Sequence, residues 1–372
     1  MDNRSGYLVM AIVAILLVGA GGLALDATGR ARVGFHRGQY EPAATSLRPV
    51  GLELDLPEVQ SVSAFDVAED RLYVLDVRGT MVHSVSLEGA GPAYEGAFGK
   101  RGGGPGEFVN PTGIAVLRNR HRVAVIEPGR IHLFDLDGGY VESLVPDLPC
   151  LMPRASIASA ARGIFVYGNC VRRAVGGDTM MAVLAWSPDG RSFTRIASDP
   201  LYTLDGRFGS AFGSTHPFGE GSNGRHVFGS GLQRCIFMVT ETDSVPIGHR
   251  TCDLALRTFP LRLRRETRAA LERVASRNPM MARTAVVPDE HPPYSQPLMT
   301  AAGPVLLRGY SEDSLVLRSF GSEEDLAVLP LTGLVGCRRE GCLVVKEHAT
   351  GTLARLHRIS DLLPGDRRAA AR

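Results

Sequence analysis

Gly99-Lys-Arg-Gly-Gly-Gly-Pro-Gly-Glu-Phe-Val-Asn-Pro-Thr-Gly-Ile-Ala-Val116 is a glycine-rich turn that runs directly into a short β-forming segment. Glycine and proline at this density deny both helix and strand, so the turn marks the start of a new structural unit. Downstream the pattern is regular. Val123 to Glu127 reads as a strand, Pro128-Gly129 as a turn, Ile131 to Asp135 as a strand, Asp137-Gly138-Gly139 as a turn, and Tyr140 to Val145 as a strand. Short apolar runs joined by such turns describe one four-stranded antiparallel sheet.

The same pattern repeats along the chain. Arg71-Leu-Tyr-Val-Leu-Asp76 aligns with Arg122-Val-Ala-Val-Ile-Glu127, and Val82-His-Ser-Val-Ser-Leu-Glu-Gly89 aligns with Ile131-His-Leu-Phe-Asp-Leu-Asp-Gly138. A third copy is Val183-Leu-Ala-Trp-Ser-Pro-Asp-Gly190. Weaker strand pairs follow at His226 to Gly231 with Cys235 to Thr240, at Val305 to Tyr310 with Ser314 to Phe320, and at Leu343 to Lys346 with Leu353 to Ile359. A period of about 50 residues is the mark of stacked sheets arranged radially, because one such sheet cannot bury both faces alone. The expectation is an all-β chain, a six-bladed β-propeller of four-stranded antiparallel blades, preceded by an N-terminal hydrophobic helix. Closing the ring requires the chain ends to meet, and Ser46 to Leu56 is the expected closing strand, paired with the last blade.

Composition excludes little but directs the rest. A net charge of +2 on 372 residues argues against a nucleic-acid-coating protein. Tyr7 to Leu25 is uncharged and preceded by Arg4, long enough to span a bilayer. It reads as an export signal and anchor, although Arg30, Arg32 and Arg37 behind it favour the cytoplasmic side. The six cysteines point the other way. They fall into three local couples, Cys150 with Cys170, Cys235 with Cys252, and Cys337 with Cys342, each placed where neighbouring strands oppose one another. Disulfides there imply an oxidising compartment, and six buried thiols in a cytosolic protein are the competing reading. No Cys-x-x-Cys occurs, and Cys337, Cys342, His348 and His357 have no familiar zinc-ligand spacing.

Over Phe98 to Gly138 the chain resembles the six-bladed propellers of the NHL-repeat type found in bacterial exported proteins. The likeness is specific over about 60 to 145 and only architectural beyond 200. It implies a rigid platform whose loops and channel bind a protein, peptide or glycan ligand. The eukaryotic-style repeat carries Asp-x-x-Asn-x-Arg-Ile after its second strand, whereas this chain has the shortened Glu127-Pro-Gly-Arg-Ile131. Two enzyme groups also resemble this fold, the peptidyl-hydroxyglycine lyases and the gluconolactonase-like hydrolases, both with a divalent metal (calcium or zinc) at the central channel. Such a metal needs converging acids or histidines. His83 and His132 sit on the third strand of their blades and are expected to pack or hydrogen-bond between blades. Asp66 is placed toward the channel, but its counterpart is Ala115. Gly209-Ser-Ala-Phe-Gly213 is not a nucleophile elbow, and Gly102-Gly-Gly-Pro-Gly106 lacks the Lys-Ser/Thr ending of a phosphate loop.

Two surface elements remain as binding candidates. The first is the turn carrying Lys100, Arg101, Glu107 and Asn110, whose alternative role is to tie down its own backbone. The second is an insertion at about 258–279, read as a helix over Arg264 to Ala275. Arg257 to Arg277 carries seven arginines and two glutamates, a net of +5, and Arg264, Arg265 and Arg268 would meet anionic lipid or an acidic partner, or cover the propeller flank. The organisation expected is therefore an anchor at 1–29, a linker at 30–45, the propeller at 46–362 and a tail at 363–372. The functional expectation is a membrane-anchored, extracytoplasmic binding module without cofactor, nucleic acid or catalysis of its own, with the metal-dependent hydrolase or lyase as the alternative. A sensor ectodomain would need a signalling partner.

Overall fold

The computed structural model describes 52–200 with short gaps and separate strands from 218 to 358; 1–51, 201–217, 259–289 and 359–372 lie outside the described residues. The expected anchor, basic helix and tail fall there, with Arg264, Arg265 and Arg268. Among the described residues no helix is long and apolar enough to cross a membrane.

The described chain is all-β apart from one short 3-10 turn at Arg118–Arg120. Four-stranded antiparallel sheets follow one another along it, six among the described residues. The first is built from Val62–Ala68, Arg71–Asp76, Met81–Ser86 and Ala93–Phe98. The second uses Gly113–Leu117, Arg122–Glu127, Arg130–Asp135 and Tyr140–Leu144. The third runs from Ala155–Ala160 to Thr194–Pro200, the fourth from Phe218–Glu220 to Ile247–Thr251, and the fifth from Gln296–Thr300 to Asp325–Pro330. The last takes Leu334–Cys337, Gly341–His348 and Gly351–Arg358 from the C-terminal region. Its fourth strand is Leu52–Leu56, antiparallel to Gly351–Arg358 with Leu54 opposite Ala354. The expected closing strand thus pairs with the end of the chain and removes an open edge.

First strands pack on first strands. Val62–Ala68 touches Gly113–Leu117, which touches Ala155–Ala160, and Leu334–Cys337 returns to Val62–Ala68. This radial order of sheets is a β-propeller. Its core lies between sheets rather than at one centre. Tyr73, Leu75 and Val82 of the first sheet meet Ile114, Val125 and Phe134 of the second. Ile126 and Ile131 meet Ile157 and Val166, Phe165 and Trp186 meet Phe228 and Phe237, and Leu343 and Leu356 meet Phe65 and Val74. Each fully buried side chain of this size stabilises the ring by about 1.5–3 kcal/mol.

Polar ties repeat beside the apolar ones. Asp66 is 1% exposed and accepts the backbone N–H of Val67 at 2.8 Å and of Val116 in the next sheet at 2.7 Å. The carboxylate expected toward the channel is therefore a fastener between neighbouring first strands. Arg71 donates to the Leu136 carbonyl at 2.9 Å and Asp137 at 2.7 Å, in the Asp-Gly turn of the second sheet. Arg120 reaches the carbonyls of Pro188 and Asp189 in the equivalent turn of the third.

Cys150 is bonded to Cys170, with Cα atoms 5.9 Å apart. Cys342 is disulfide-bonded and lies directly opposite Cys337, while Cys235 and Cys252 lie outside the described residues. Arg257–Thr258 pairs antiparallel with Glu290–His291. The fifth sheet carries Pro297 in its first strand, an edge position that proline tolerates.

Candidate functional site: a turn and a hydrogen-bonded relay

The glycine-rich turn is built around Phe108. Lys100–Arg101 pairs in parallel with Glu107–Phe108, and the Phe108 ring is fully buried between Phe134 at 5.7 Å and His132 at 5.3 Å. Gly99 has φ 75°, and a Cβ there would enter the Phe108 ring; only glycine serves. Glu107 accepts the Gly104 N–H at 2.9 Å and pairs with Lys100 at 3.1 Å. Those two bonds, the backbone one first, hold its carboxyl below the usual range. The side chain singled out for binding is therefore committed to the turn. Asn110 contributes its backbone N–H, 3.1 Å from Glu127. Arg101 is exposed, and the Lys100 side chain is 72% exposed beside Val109 at 66%.

Under this turn lies an arrangement that sequence reasoning missed. Glu127 ends the second strand of the second sheet and His132 sits on the third, both buried. Glu127 Oε2 accepts the N–H groups of Val109 and Asn110 at 2.8 and 3.1 Å, and Oε1 is 3.0 Å from His132 Nε2. Burial pushes the Glu127 carboxyl up, but donation by His132 and by the Val109 and Asn110 N–H groups outweighs it and holds the pKa below the ordinary value. On the far side of the ring, His132 Nδ1 is 2.9 Å from Ser143 Oγ, and the Tyr140 hydroxyl donates to that same oxygen at 3.1 Å. A Cβ on Gly106 would stand 3.2 Å from the Tyr140 ring, so the turn lies against the outer end of the relay.

The first sheet repeats the theme with different members. Asp76 receives the N–H groups of Gln60, Ser61, Arg78 and Gly79 at 2.8 to 3.1 Å. Burial raises its pKa, and His83 together with these backbone donors lowers it by more. His83 Nε2 stands 3.7 Å from Asp76, beyond hydrogen-bond range, and has no other partner among the described residues. Its Nδ1 meets the Tyr94 hydroxyl at 3.1 Å, which donates to Glu58 at 3.0 Å. The two histidines thus bond within their own sheets, not between sheets as their strand position suggested. In the fourth sheet His226 Nε2 is 2.5 Å from Glu241. Among the described residues no three metal-ligating side chains come together.

A signal for the relay existed in the sequence. In both repeats a carboxylate ends the second strand, a histidine follows on the third, and a hydroxyl lies eleven residues after the histidine.

No family model matches the chain, and no curated protein matches it. Solved structures of similar shape include a putative exported protein from Bacteroides fragilis, 11% identical over 86% of this chain and 98% of that one, with a TM-score of 0.46. A luciferin-regenerating enzyme is 10% identical over 84% and 96%, with a TM-score of 0.45. The β-propeller domain of Swd1 from Myceliophteria thermophila is 11% identical over 82% and 99%, with a TM-score of 0.40. At these values the likeness decides nothing about activity, and the fold assignment rests on strand order and register.

Proposed function

We propose that the chain is a six-bladed propeller of NHL-like type that works outside the cytoplasm. In this reading 7–25 holds it to a membrane and local disulfides staple it. It binds a protein, peptide or glycan ligand, with the face carrying the glycine-rich turn as its contact surface. The observation that carries the reading is the construction of that turn. Its backbone is fixed by Glu107, Glu127 and Phe108, while Lys100, Arg101 and Val109 are left exposed on it. A rigid loop presenting cationic and apolar groups loses little entropy on binding. The six four-stranded sheets and the pairing of Leu52–Leu56 with Gly351–Arg358 support the blade count. The bonded Cys150 and Cys170 support an oxidising compartment.

The test uses the full-length chain, purified oxidised in detergent and without chelator, on peptide and glycan arrays. An Arg101→Glu, Val109→Asp variant is run beside it. The expected outcome is selective binding to one ligand class, lost in the variant at unchanged melting temperature. Binding indifferent to the variant removes the turn from the function. Free thiols and bound metal are counted in the same sample. Near-stoichiometric calcium or zinc would replace this reading with the metal-dependent hydrolase or lyase.

A further inference from the structure

The geometry points to Ser143 as a nucleophile activated by His132, with Glu127 as its positioning residue, at a site for carboxylic esters of apolar acyl groups on the outer edge of the second sheet.

Proton accounting carries the argument. Ionised Glu127 can only accept, so the proton in its 3.0 Å contact belongs to His132 Nε2. A neutral imidazole protonated there has a bare Nδ1 lone pair, and the group 2.9 Å from it is the Ser143 hydroxyl. In that tautomer Ser143 donates its proton into the ring. Tyr140 donates to Oγ from the other side, which orients the hydroxyl and leaves one lone pair for attack. Acid, imidazole and hydroxyl are thus joined in the order that general-base activation of a serine requires.

Packing does not account for the serine. Ser143 lies directly opposite His132, and the residue directly opposite His83 in the first sheet is Ala97. A sheet of the same design folds with no hydroxyl there. Ser143 is half-buried, and its strand carries Tyr140 and Val141, followed by Val145, all exposed, the last at 76%. A register shift between Leu133 and Phe134 leaves Val141 as the extra residue of the outer strand. Bulges of this kind re-aim side chains next to sites. An apolar acyl group would lie on this surface beside the hydroxyl.

The step balances without a co-reactant other than water. Ser143 Oγ attacks the acyl carbonyl as its proton moves to His132 Nδ1, and the same proton passes to the departing alkoxide as the ester bond breaks. Water then cleaves the acyl-serine by the reverse route, releasing the acid. Glu127 stays ionised and holds the ring.

The experiment treats the full-length oxidised chain with a fluorophosphonate, which forms a P–O bond to an activated serine and releases fluoride. Adducts are mapped by peptide mass spectrometry. The expected result is labelling of Ser143 about 100-fold faster than of any other serine, the lower range of general-base assistance. It should vanish in urea and in Ser143→Ala, and fall by a similar factor in His132→Gln. Glu127→Gln should alter the pH profile of labelling and not merely its extent. Labelling of Ser143 no faster than of other serines, or as fast in urea as in the folded chain, overturns the inference, and the urea arm stands even if the His132 variant fails to fold.

Discussion

His83 and His132 occupy the same position in consecutive sheets and carry opposite hydrogen-bond polarity. In the second sheet the chain of bonds ends at Tyr140, a donor, so protons point inward to the histidine and on to Glu127. In the first it ends at Glu58, an acceptor, which takes the single Tyr94 proton and leaves His83 Nδ1 to donate. His83 Nε2 stands 3.7 Å from Asp76, outside hydrogen-bond range. Tyr94 and Tyr140 are equivalents, opposite Val85 and Phe134. The difference comes from Ala97 in place of Ser143 and from Glu58 entering from outside the sheet. One scaffold position thus supports a spacer in one blade and an activated hydroxyl in the next.

The largest effect is expected from the residue that touches only the second relay. Phe108→Ala empties a buried site against His132 and Phe134 and should cost about 3–5 kcal/mol in urea unfolding. A loss below about 1 kcal/mol would mean the turn is not anchored as described. Next come the two carboxylates. Asp76→Asn and Glu127→Gln each weaken charge-assisted bonds and should cost about 1.5–3 kcal/mol at neutral pH.

Acid sharpens the same point. Both carboxyls have folded pKa values below their unfolded ones, so the unfolded chain takes up protons first as pH falls. Their contribution is full at neutral pH, begins to fade near the unfolded values of about 3.9 and 4.3, and is gone once the folded carboxyls are protonated. The urea midpoint of the wild type should therefore drop below about pH 4.5, and the double variant should show a shallower drop. A double variant as acid-sensitive as the wild type would assign the effect elsewhere.

The repeat was legible in the sequence because each strand hairpin is written locally, in alternating apolar residues and Asp-Gly turns. Ring closure was legible because an unpaired Leu-Glu-Leu-Asp-Leu run at one end needed a partner at the other. The relay was not, for a geometric reason. The eleven-residue spacing from histidine to hydroxyl is the same in both sheets, yet it lands on Tyr94, opposite Val85, in one and on Ser143, opposite His132, in the other. The hairpin loop of the first sheet, between Ser86 and Ala93, is longer, and this offsets the strand that follows. Asp66, read as placed toward the channel, accepts the backbone N–H of Val116 in the next sheet, a tie between sheets that the sequence did not show.

Truncating the hydroxyls separates the sheets more gently. Ser143→Ala leaves His132 Nδ1 without a donor and Tyr94→Phe removes the link from His83 to Glu58, so each should cost about 1 kcal/mol in urea unfolding. A cost above about 3 kcal/mol for Ser143→Ala would make the serine a structural necessity of its sheet, against the precedent of Ala97.

The smallest effect tests polarity itself. Tyr94 has its pKa pushed up to about 12, by burial first and then by its bond to Glu58 and the charge of that carboxylate. Ultraviolet titration of the phenols should contain a step near that value that Tyr94→Phe deletes. Glu58→Gln removes the charge and most of the bond strength but not the burial, so the step should move down toward the ordinary value of about 10 without reaching it. A neutral amide also frees the Tyr94 proton to point at His83, which would give the first sheet the inward polarity of the second. Ala97→Ser in that background places a hydroxyl opposite His83, and fluorophosphonate labelling at position 97 would then show that the terminal group of the chain of bonds, rather than the histidine, decides which blade is reactive. A Tyr94 step unmoved by Glu58→Gln would break the comparison at its root, because the polarity of the first relay would no longer depend on its acceptor.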